Sequence, residues 1–281
     1  MDRVLLTGAT GFVGKQILKQ LENKGHRVTI VVRPKWENRI SISSSTTEII
    51  EVNDIFSKKS EWWEKNLIGI NTIIHTAWYA EPGLYLNSKK NNECFFGTIQ
   101  LAKAAKVQNV KRFVGIGSCI EYKISNNYLS IDTPLLPKTL YSKAKVNTFN
   151  YLTKLFNTTE TSFLWCRLFY LFGEGEDPRR FNAFLHQALK NGEKANLSNG
   201  NQVRDFIDVK IAAQMIINGT FSSTEGPANI CTGKGKTIRK ISEEIADIYG
   251  RRDLLNFGAR PDNLVDPKCV IGIPTFKNIL L

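Results

Sequence analysis

The chain has 281 residues, of which 42% are hydrophobic and 10% aromatic, and its formal net charge at pH 7 is +12. These values predict a globular protein with one large α/β domain, or one domain and a smaller lobe. The longest apolar runs, such as residues 28–32, are too short to cross a bilayer, and no signal-peptide pattern opens the chain. We therefore expect no membrane partner and a cytoplasmic location.

The cysteines are scattered, odd in number and without the paired spacing of a metal site. Only three histidines accompany them, and these are well separated along the chain. The sequence therefore predicts no metal centre and a set of reduced, buried thiols. The cysteines are Cys94, Cys119, Cys166, Cys231 and Cys269.

The excess of positive charge has three alternative explanations. Nucleic-acid binding calls for basic residues gathered in one patch, but here they are spread along the chain. A ligand that carries several phosphates is also attracted by a positive field, and we favour this explanation. Solubility is the third alternative. We expect no nucleic-acid partner.

A strand, a glycine-rich turn and a helix are predicted at the start of the chain. Residues 4–6 form an apolar run, and Val13, Ile17 and Leu21 fall on one stripe of the helix that follows. Between them lies the segment TGATGFVG, residues 7–14. A glycine pattern in this context is the fingerprint of a dinucleotide-binding turn, although three glycines also suit an ordinary turn.

Each glycine of the segment has a physical role in that interpretation. Gly8 permits the tight turn, Gly11 lets the backbone approach a pyrophosphate, and Gly14 lets the helix pack closely on the strand. The N-terminus of the helix then offers N–H groups to the phosphates. The residues of this segment predicted to bind the cofactor are Gly8, Thr10, Gly11, Phe12, Val13 and Gly14.

The end of the second predicted strand, residues 27–32, indicates which dinucleotide is bound. An acidic residue there would bind the adenosine ribose hydroxyls and indicate NAD. The chain instead has Arg33, with Lys35 and Arg39 close behind. A 2′-phosphate is attracted by these charges, so we predict NADP(H) over NAD(H). The alternative is an ordinary basic loop.

Strands and helices alternate over the first 170 residues. Strands are predicted at residues 47–52, 71–77, 111–116 and 162–168. Helices are predicted around residues 62–67, at 84–108 and at 140–156. This alternation predicts a doubly wound parallel sheet of the Rossmann type. His75, at the tip of one strand, is interpreted as a packed, hydrogen-bonded side chain.

The rhythm changes after residue 170. A helix is predicted at residues 180–190, and residues 204–209 form the clearest later strand. We therefore predict a cofactor domain at residues 1–170 and a smaller C-terminal substrate lobe at residues 171–281, with some segments returning to the first domain. Such a lobe would cover the carboxyl ends of the strands, where open α/β sheets bind ligands.

Three side chains indicate that the chain reduces a ketone by hydride transfer. Tyr141 and Lys145 lie one turn apart on one helical face, and Ser118 ends the strand that leads to this helix. Reducing a ketone with hydride leaves an alkoxide that needs a proton, and a phenol of pKa about 10 gives it when a cation assists. A lysine cation about 4 Å away stabilises the phenolate by roughly 4 kcal/mol at an effective dielectric near 20, and it thereby lowers the pKa of the phenol. A serine hydroxyl can donate to the carbonyl oxygen.

Together, TGATGFVG, Ser118, the Tyr141/Lys145 pair and the segment Arg204-Asp205-Phe206 resemble the extended short-chain dehydrogenase/reductases that act on nucleotide sugars. The resemblance covers most of the chain and implies a homodimer formed by the helices that begin near Leu84 and Leu140. It implies that Asp54, Ile55 and Ala77 contact the cofactor. It also implies that the substrate is bound by Ser118, Cys119, Arg179, Arg204 and Arg260. Of these, Arg204 and Arg260 would bind the diphosphate of the nucleotide sugar.

The chain departs from the family pattern at several positions. Many members have asparagine where Cys94 and Tyr170 stand. The 4,6-dehydratases have an Asp-Glu pair directly after the position of Ser118, but here the pair is Cys119 and Ile120, and Glu121 comes one place later. Dehydration is therefore disfavoured.

The sequence predicts an NADPH-dependent reductase of a keto group, at C4 of a nucleoside-diphosphate-linked 4-keto-6-deoxyhexose. Two alternatives remain open at this point. One is an NAD-dependent nucleotide-sugar epimerase on the same scaffold. The other is a non-catalytic dinucleotide-sensing or RNA-binding protein that has kept the fold.

Overall fold

The computed structural model describes residues 2–125, 128–263 and 266–276. The strands in chain order are β1 Arg3–Thr7, β2 Arg27–Val32, β3 Thr47–Glu51, β4 Thr72–His75, β5 Arg112–Ser118, β6 Ser162–Leu168, β7 Tyr170–Phe172, β8 Ala195–Leu197, β9 Val203–Arg204, β10 Phe206–Asp208, β11 Gly226–Ile230, β12 Lys236–Thr237, β13 Leu255–Phe257 and β14 Cys269–Val270. The α-helices are α1 Phe12–Asn23, α2 Ser60–Asn66, α3 Lys90–Val107, α4 Leu140–Phe156, α5 Phe181–Lys190, α6 Val209–Thr220 and α7 Ile238–Tyr249.

A seven-stranded parallel sheet forms the centre of the molecule. Its strand order is β11-β6-β5-β4-β1-β2-β3, so β1 lies between β2 and β4. The order reverses at β1, and open α/β sheets bind ligands at the carboxyl ends of the strands beside such a point. The predicted doubly wound parallel sheet is confirmed.

Both faces of this sheet are covered by helices. Val4 and Leu6 of β1 pack into the apolar cluster that includes α1 and α6, whereas Leu5 packs into the cluster beneath α2, α3 and α4. Successive side chains of a strand point to opposite faces, so a strand buried on both faces is a continuous apolar run. This is why the short central strands could be predicted from continuous apolar runs in the sequence.

The residues after 170 divide between the sheet and a smaller unit. Helix α6 packs on α1, and β11 adds a parallel strand to the edge of the central sheet beside β6. Helices α5 and α7 instead pack together with β8 and β13 around a separate apolar cluster. Residues 264, 265 and 277–281 of the predicted lobe lie outside the described residues. None of the helices in the described ranges is long and apolar enough to span a bilayer.

One predicted helix is wrong in its extent. Residues 84–108 were expected to form a single helix, but a 3-10 turn at Tyr85–Asn87 is followed by Ser88 in an extended conformation, and α3 begins at Lys90. The fully buried Asn91 causes the interruption, because its Nδ2 atom donates to the carbonyl oxygens of Tyr85, at 2.6 Å, and Ser88, at 2.9 Å. These bonds hold the preceding chain in a turn.

The strand expected at residues 204–209 is divided at Asp205. This buried carboxylate accepts hydrogen bonds from the backbone N–H groups of Thr232 and Gly233, both at 2.9 Å, and from that of Gly272 at 3.3 Å. Its side chain thus ties three loops together, and β9 and β10 pair with different partners on either side of it. In contrast, the predicted helix 140–156 and strand 162–168 have the bounds of α4 and β6.

Candidate active site

A cleft of about 800 Å³ opens at the carboxyl ends of the central strands. One wall is the glycine-rich turn after β1, and the other comes from the smaller unit. The predicted site residues that line it are Gly8, Gly11, Phe12, Val13, Gly14, Ser118, Cys119, Tyr141, Lys145, Arg204 and Arg260.

The turn between β1 and α1 has the shape that a dinucleotide pyrophosphate requires. Gly8 has a φ of +75°, and a Cβ atom on Gly14 would lie 2.1 Å from the carbonyl oxygen of Gly8. The N-cap of α1 is Gly11, without a side-chain hydrogen bond, and the first turn has no acidic residue. Its N–H groups are therefore available to an anion. The residues of this turn therefore fit the pyrophosphate of a nicotinamide dinucleotide.

Other residues predicted to bind the cofactor are at the same edge of the sheet but outside the cleft lining. Thr7 pairs with Val31, so the exposed Arg33 leaves β2 beside Gly8. The residues outside the lining are Thr10, Arg33, Asp54, Ile55 and Ala77. Asp54 uses its Oδ1 atom to accept the backbone N–H of Phe56 at 2.9 Å, which fixes the loop after β3.

The structure brings the three predicted catalytic side chains together. Ser118 ends β5, and it lines the cleft together with Tyr141, the second residue of α4. Lys145 follows one turn later, and its Nζ atom donates to the carbonyl oxygen of Ile116 at 2.7 Å. Helix α4 begins with a cap in which the Thr139 hydroxyl accepts the backbone N–H of Ser142 at 3.1 Å. The cap fixes where the first turn of α4 points.

Burial changes the acidity of Lys145 and Tyr141. The pKa of Lys145 is lowered to about 7 by burial, and the charge of Glu121 is the largest influence that opposes this. The pKa of Tyr141 is raised by burial, with smaller upward contributions from Tyr85 and Glu121. The sequence had suggested that Lys145 lowers the pKa of Tyr141. In this structure desolvation instead keeps the phenol neutral, which is the form that donates a proton.

Two aromatic residues that the sequence analysis missed surround these groups. The ring centroid of Trp78 is 3.6 Å from Lys145 Nζ, and the ring of Tyr85 meets that of Tyr141 edge-on at 4.9 Å. The Nε1 atom of Trp78 donates to Asn91 at 2.8 Å. Its position three residues after β4, at the edge where the site forms, was the available signal.

Glu121 is not part of the cleft lining. Its fully buried carboxylate forms an ion pair with the Nε atom of Arg167 at 2.8 Å. One of its oxygens also accepts the backbone N–H of Ser118 at 2.7 Å. The carboxylate of Glu121 is thus engaged with Arg167 and the Ser118 backbone and does not face the cleft.

The arginines predicted for the substrate have different environments. Arg204 is buried, pairs with Asp266 at 2.7 Å and lies over the ring of Tyr170 at 5.2 Å. Arg260 lines the cleft near Phe184, with its guanidinium 5.9 Å from that ring centroid. Both line the cleft, and the guanidinium of Arg204 is already paired with Asp266 and the carbonyl oxygen of Val203.

Arg179, which is predicted to bind the substrate, is outside the cleft lining in this structure. Its exposed guanidinium forms ion pairs with Glu81 at 2.6 Å and Asp177 at 2.7 Å, which direct it away. The cleft is lined instead by its neighbour Arg180, which precedes α5, and by the buried Asn182. Asn182 Nδ2 has no hydrogen-bond partner among the described residues.

The remaining polar candidates have structural roles. His75 is buried between the hydroxyl groups of Thr7, at 2.7 Å, and Thr98, at 2.9 Å, and burial lowers its pKa to about 3. This agrees with the expected packed histidine. The five cysteines are free thiols, four of them buried. Within the described residues, no group of His, Cys, Asp and Glu is arranged to hold a metal ion.

Comparison with protein families now identifies the chain. The family described as "NAD dependent epimerase/dehydratase family" matches residues 4–218, which include the glycine-rich turn and the three catalytic candidates. The chain belongs to this family. The family resemblance inferred from the motifs and the predicted class of NAD(P)-dependent enzyme are confirmed.

Members of the epimerase/dehydratase family similar to this chain share nearly its full length. The dTDP-6-deoxy-L-talose 4-dehydrogenase (NAD(+)) of Aggregatibacter actinomycetemcomitans is 24% identical, over 96% of this chain and 98% of that protein. The UDP-N-acetylglucosamine 4-epimerase of Methanobrevibacter ruminantium, solved with UDP-N-acetylmuramic acid, is 25% identical, with a TM-score of 0.85 over 98% of this chain and 90% of that one. The UDP-glucose 4-epimerase of Thermus thermophilus, solved with NAD, is 22% identical, with a TM-score of 0.79 over 97% and 90% of the two chains.

Proposed function

We propose that this epimerase/dehydratase-family enzyme transfers hydride at C4 of a nucleoside-diphosphate sugar, and that it reduces a 4-keto-6-deoxyhexose with NADPH. One observation carries the proposal. Ser118, Tyr141 and Lys145 line the same cleft as the glycine-rich turn on one side and Arg204 and Arg260 on the other. Dinucleotide, reacting carbonyl and diphosphate thus each have a complementary part of one cavity.

Each of the three central side chains has a distinct role in this reaction. The bound dinucleotide supplies the hydride. Tyr141, which burial keeps neutral, gives its proton to the oxygen that becomes an alkoxide. Ser118 donates a hydrogen bond to that oxygen and favours its developing charge. Lys145, when charged, favours the phenolate that remains and holds the cofactor ribose.

The reaction at C4 and the deoxysugar have separate support. The relative from Aggregatibacter is named as a 4-dehydrogenase of a dTDP-linked 6-deoxysugar, which is the reverse of a 4-keto reduction. The cleft also contains Cys119 and Ile120 where the dehydratases have their acidic pair. We expect this enzyme to receive a sugar that is already dehydrated. We also expect a homodimer.

The choice of NADPH rests on Arg33, which follows β2 beside the glycine-rich turn with no acidic residue at that position. A cation there favours a cofactor with a 2′-phosphate. Two of the relatives described above, from Aggregatibacter and Thermus, carry NAD in their name or structure, so NAD(H) is the competing cofactor. Binding measurements with NADPH and NADH distinguish the two cofactors.

A nucleotide-sugar 4-epimerase is the second candidate. It is favoured by the TM-score of 0.85 to the UDP-N-acetylglucosamine 4-epimerase. The same phenol, ammonium and hydroxyl can remove and return hydride at C4 without net consumption of cofactor. An epimerase differs in holding NAD tightly through its cycle.

The decisive experiment mixes the purified enzyme with NADPH or NADH and a panel of 4-keto-6-deoxyhexoses linked to different nucleoside diphosphates. We expect loss of reduced-nicotinamide absorbance that matches formation of a 4-hydroxy sugar. Tyr141→Phe should reduce kcat by about 10²- to 10⁴-fold, the usual contribution of a general acid. Interconversion of UDP-sugar epimers with tightly bound NAD and no net oxidation would establish the second candidate. Full turnover by Tyr141→Phe would refute the assigned role of the phenol.

A further inference from the structure

A chain of buried polar groups lies behind the catalytic cleft. Glu121 and Arg167 form a fully buried ion pair, and the Nε1 atom of Trp165 donates to both carboxylate oxygens, at 3.1 and 3.3 Å. Arg167 also donates to the Tyr122 hydroxyl at 3.0 Å, and that hydroxyl donates to Asn229 at 2.7 Å. A buried ion pair pays a large desolvation cost, and apolar side chains of similar volume often stabilise a fold as well or better. Stability alone is therefore a weak reason for this pair.

The ion pair is joined directly to the active site through Ser118. Glu121 ends the 3-10 turn that begins after Ser118, and its carboxylate returns to accept the Ser118 N–H at 2.7 Å. Gly117 leaves room for this arrangement, because a Cβ atom there would lie 2.5 Å from Glu121 Oε1 and 2.3 Å from Trp165 Nε1. The backbone of the catalytic serine and the carboxylate therefore form one packed unit.

The same carboxylate is joined to the surroundings of Lys145 through Trp165, whose Nε1 atom donates to Glu121 and whose ring centroid lies 5.8 Å from Lys145 Nζ. The ionisable groups that interact with this buried ammonium are Tyr141 on its own helix, His75 on β4, Cys94 on α3 and Glu121. His75 and Cys94 are neutral near pH 7, because burial lowers the pKa of the first to about 3 and raises that of the second to about 11. Burial likewise keeps Tyr141 neutral. Among these four groups, Glu121 is the one that carries negative charge.

Resting on the proposed function, we propose that Glu121 is a positioning residue of this active site, whose carboxylate holds the backbone of Ser118 from behind and balances the buried ammonium of Lys145. Arg167 holds the Glu121 carboxylate in the orientation that allows it to interact with both the Ser118 backbone and Lys145. Glu121 does not touch the substrate; it acts through Ser118 and Lys145. Without its charge, Lys145 would give up its proton at a lower pH, and the active site would lose its cation in the neutral range.

The direct test measures the titration of Lys145 in the cofactor-free protein. Lysine labelled with ¹³C at Cε is followed by NMR as pH is raised, and the Lys145 signal is assigned by its loss in Lys145→Met. Glu121→Gln keeps an oxygen that accepts the Ser118 N–H but removes the charge, so we expect the Lys145 midpoint to fall by about one pH unit or more. An unchanged or higher midpoint would overturn the proposal. Because no turnover is needed, this outcome is independent of whether the proposed reaction is correct.

Two further variants separate charge from folding. The double variant Glu121→Gln/Arg167→Met also removes the Arg167 guanidinium that the single variant leaves without its carboxylate partner. We expect its Lys145 midpoint to lie between those of the wild type and the single variant, and it provides the test if Glu121→Gln does not fold. A double variant with the wild-type midpoint would refute the charge role. Glu244→Gln removes an exposed carboxylate that pairs with Lys236, and it should leave the Lys145 midpoint unchanged.

The kinetic counterpart uses the substrate identified under the proposed function. In Glu121→Gln, kcat should fall, and its alkaline limb should move to lower pH by the same amount as the Lys145 midpoint, with KM for the nucleotide sugar nearly unchanged. A purely structural role would lower the melting temperature and leave the shape of the pH profile as in the wild type. That result would count against the proposal.

Discussion

The Nζ atom of Lys145 lies 3.6 Å from the ring centroid of Trp78, and both residues line the cleft at the carboxyl ends of the central strands. An aromatic face stabilises a desolvated cation by about 2 kcal/mol. This attraction opposes the burial that lowers the pKa of Lys145 to about 7. The indole therefore helps to keep the lysine charged.

Removing the indole should make Lys145 easier to deprotonate. We expect Trp78→Leu to lower the Lys145 midpoint by about one pH unit in the cofactor-free protein, and Trp78→Phe to lower it less. The measurement is the NMR titration described above. Trp62→Leu is the matched control, because it removes an indole that lies 5.6 Å from Lys58 outside the cleft. A Trp78→Leu midpoint equal to that of the wild type would show that the ring contributes no stabilisation.

Arg33 should determine the preference between the two dinucleotides. We expect Arg33→Ala to weaken NADPH binding on the order of tenfold, because one charge-assisted contact to the 2′-phosphate is lost. NADH has no such phosphate and serves as the internal control, with unchanged affinity. Fluorescence titration of each reduced cofactor measures both values. Tighter binding of NADH than NADPH by the unmodified enzyme would contradict the assignment of NADPH.

The neighbouring arginines 179 and 180 should differ in function. Arg180 lines the cleft, whereas Arg179 is held outside it by Glu81 and Asp177. We expect Arg180→Ala to raise KM for the nucleotide sugar by about tenfold, as loss of a charged hydrogen bond does. Arg179→Ala should leave KM close to the wild-type value, because exposed ion pairs contribute little. Equal effects in steady-state kinetics would show that the ion pairs of Arg179 break when substrate binds.

His75 should make the fold sensitive to acid. Its pKa is about 3 in the folded protein and about 6.5 in the unfolded chain, so the unfolded chain binds more protons between these values. The stabilisation is fully present above pH 6.5 and declines as pH falls towards 3, by about 4 to 5 kcal/mol in total. We expect the free energy of unfolding of His75→Gln to fall less steeply over this range than that of the wild type.

Urea unfolding at several pH values between 7 and 4 measures these slopes. His186→Gln is the control, because His186 is only partly buried and pairs with the Tyr249 hydroxyl at 3.0 Å near the surface. Its slope should stay close to that of the wild type. Parallel slopes for His75→Gln and the wild type would mean that His75 becomes protonated without loss of the fold.

Much of the fold and the centre of the candidate site could be predicted from sequence. Helix α4 and strand β6 have the predicted bounds, and Ser118, Tyr141 and Lys145 meet in the cleft as expected. The last strand of the central sheet, β11, was not predicted. Between β11 and its partner β6 the chain forms β7, α5, β8, β9, β10 and α6, so no local pattern connects the two strands.

The sequence by itself determined the glycine-rich turn and the alternation of strands and helices, because glycine spacing and apolar periodicity act between residues close in the chain. The spacing of Tyr141 and Lys145 on one helical face is local in the same sense. Only the tertiary structure decided that Arg180 rather than Arg179 reaches the cleft and that Glu121 pairs with Arg167. Those choices depend on burial and on ion pairs between segments far apart in the chain, and no local pattern records them.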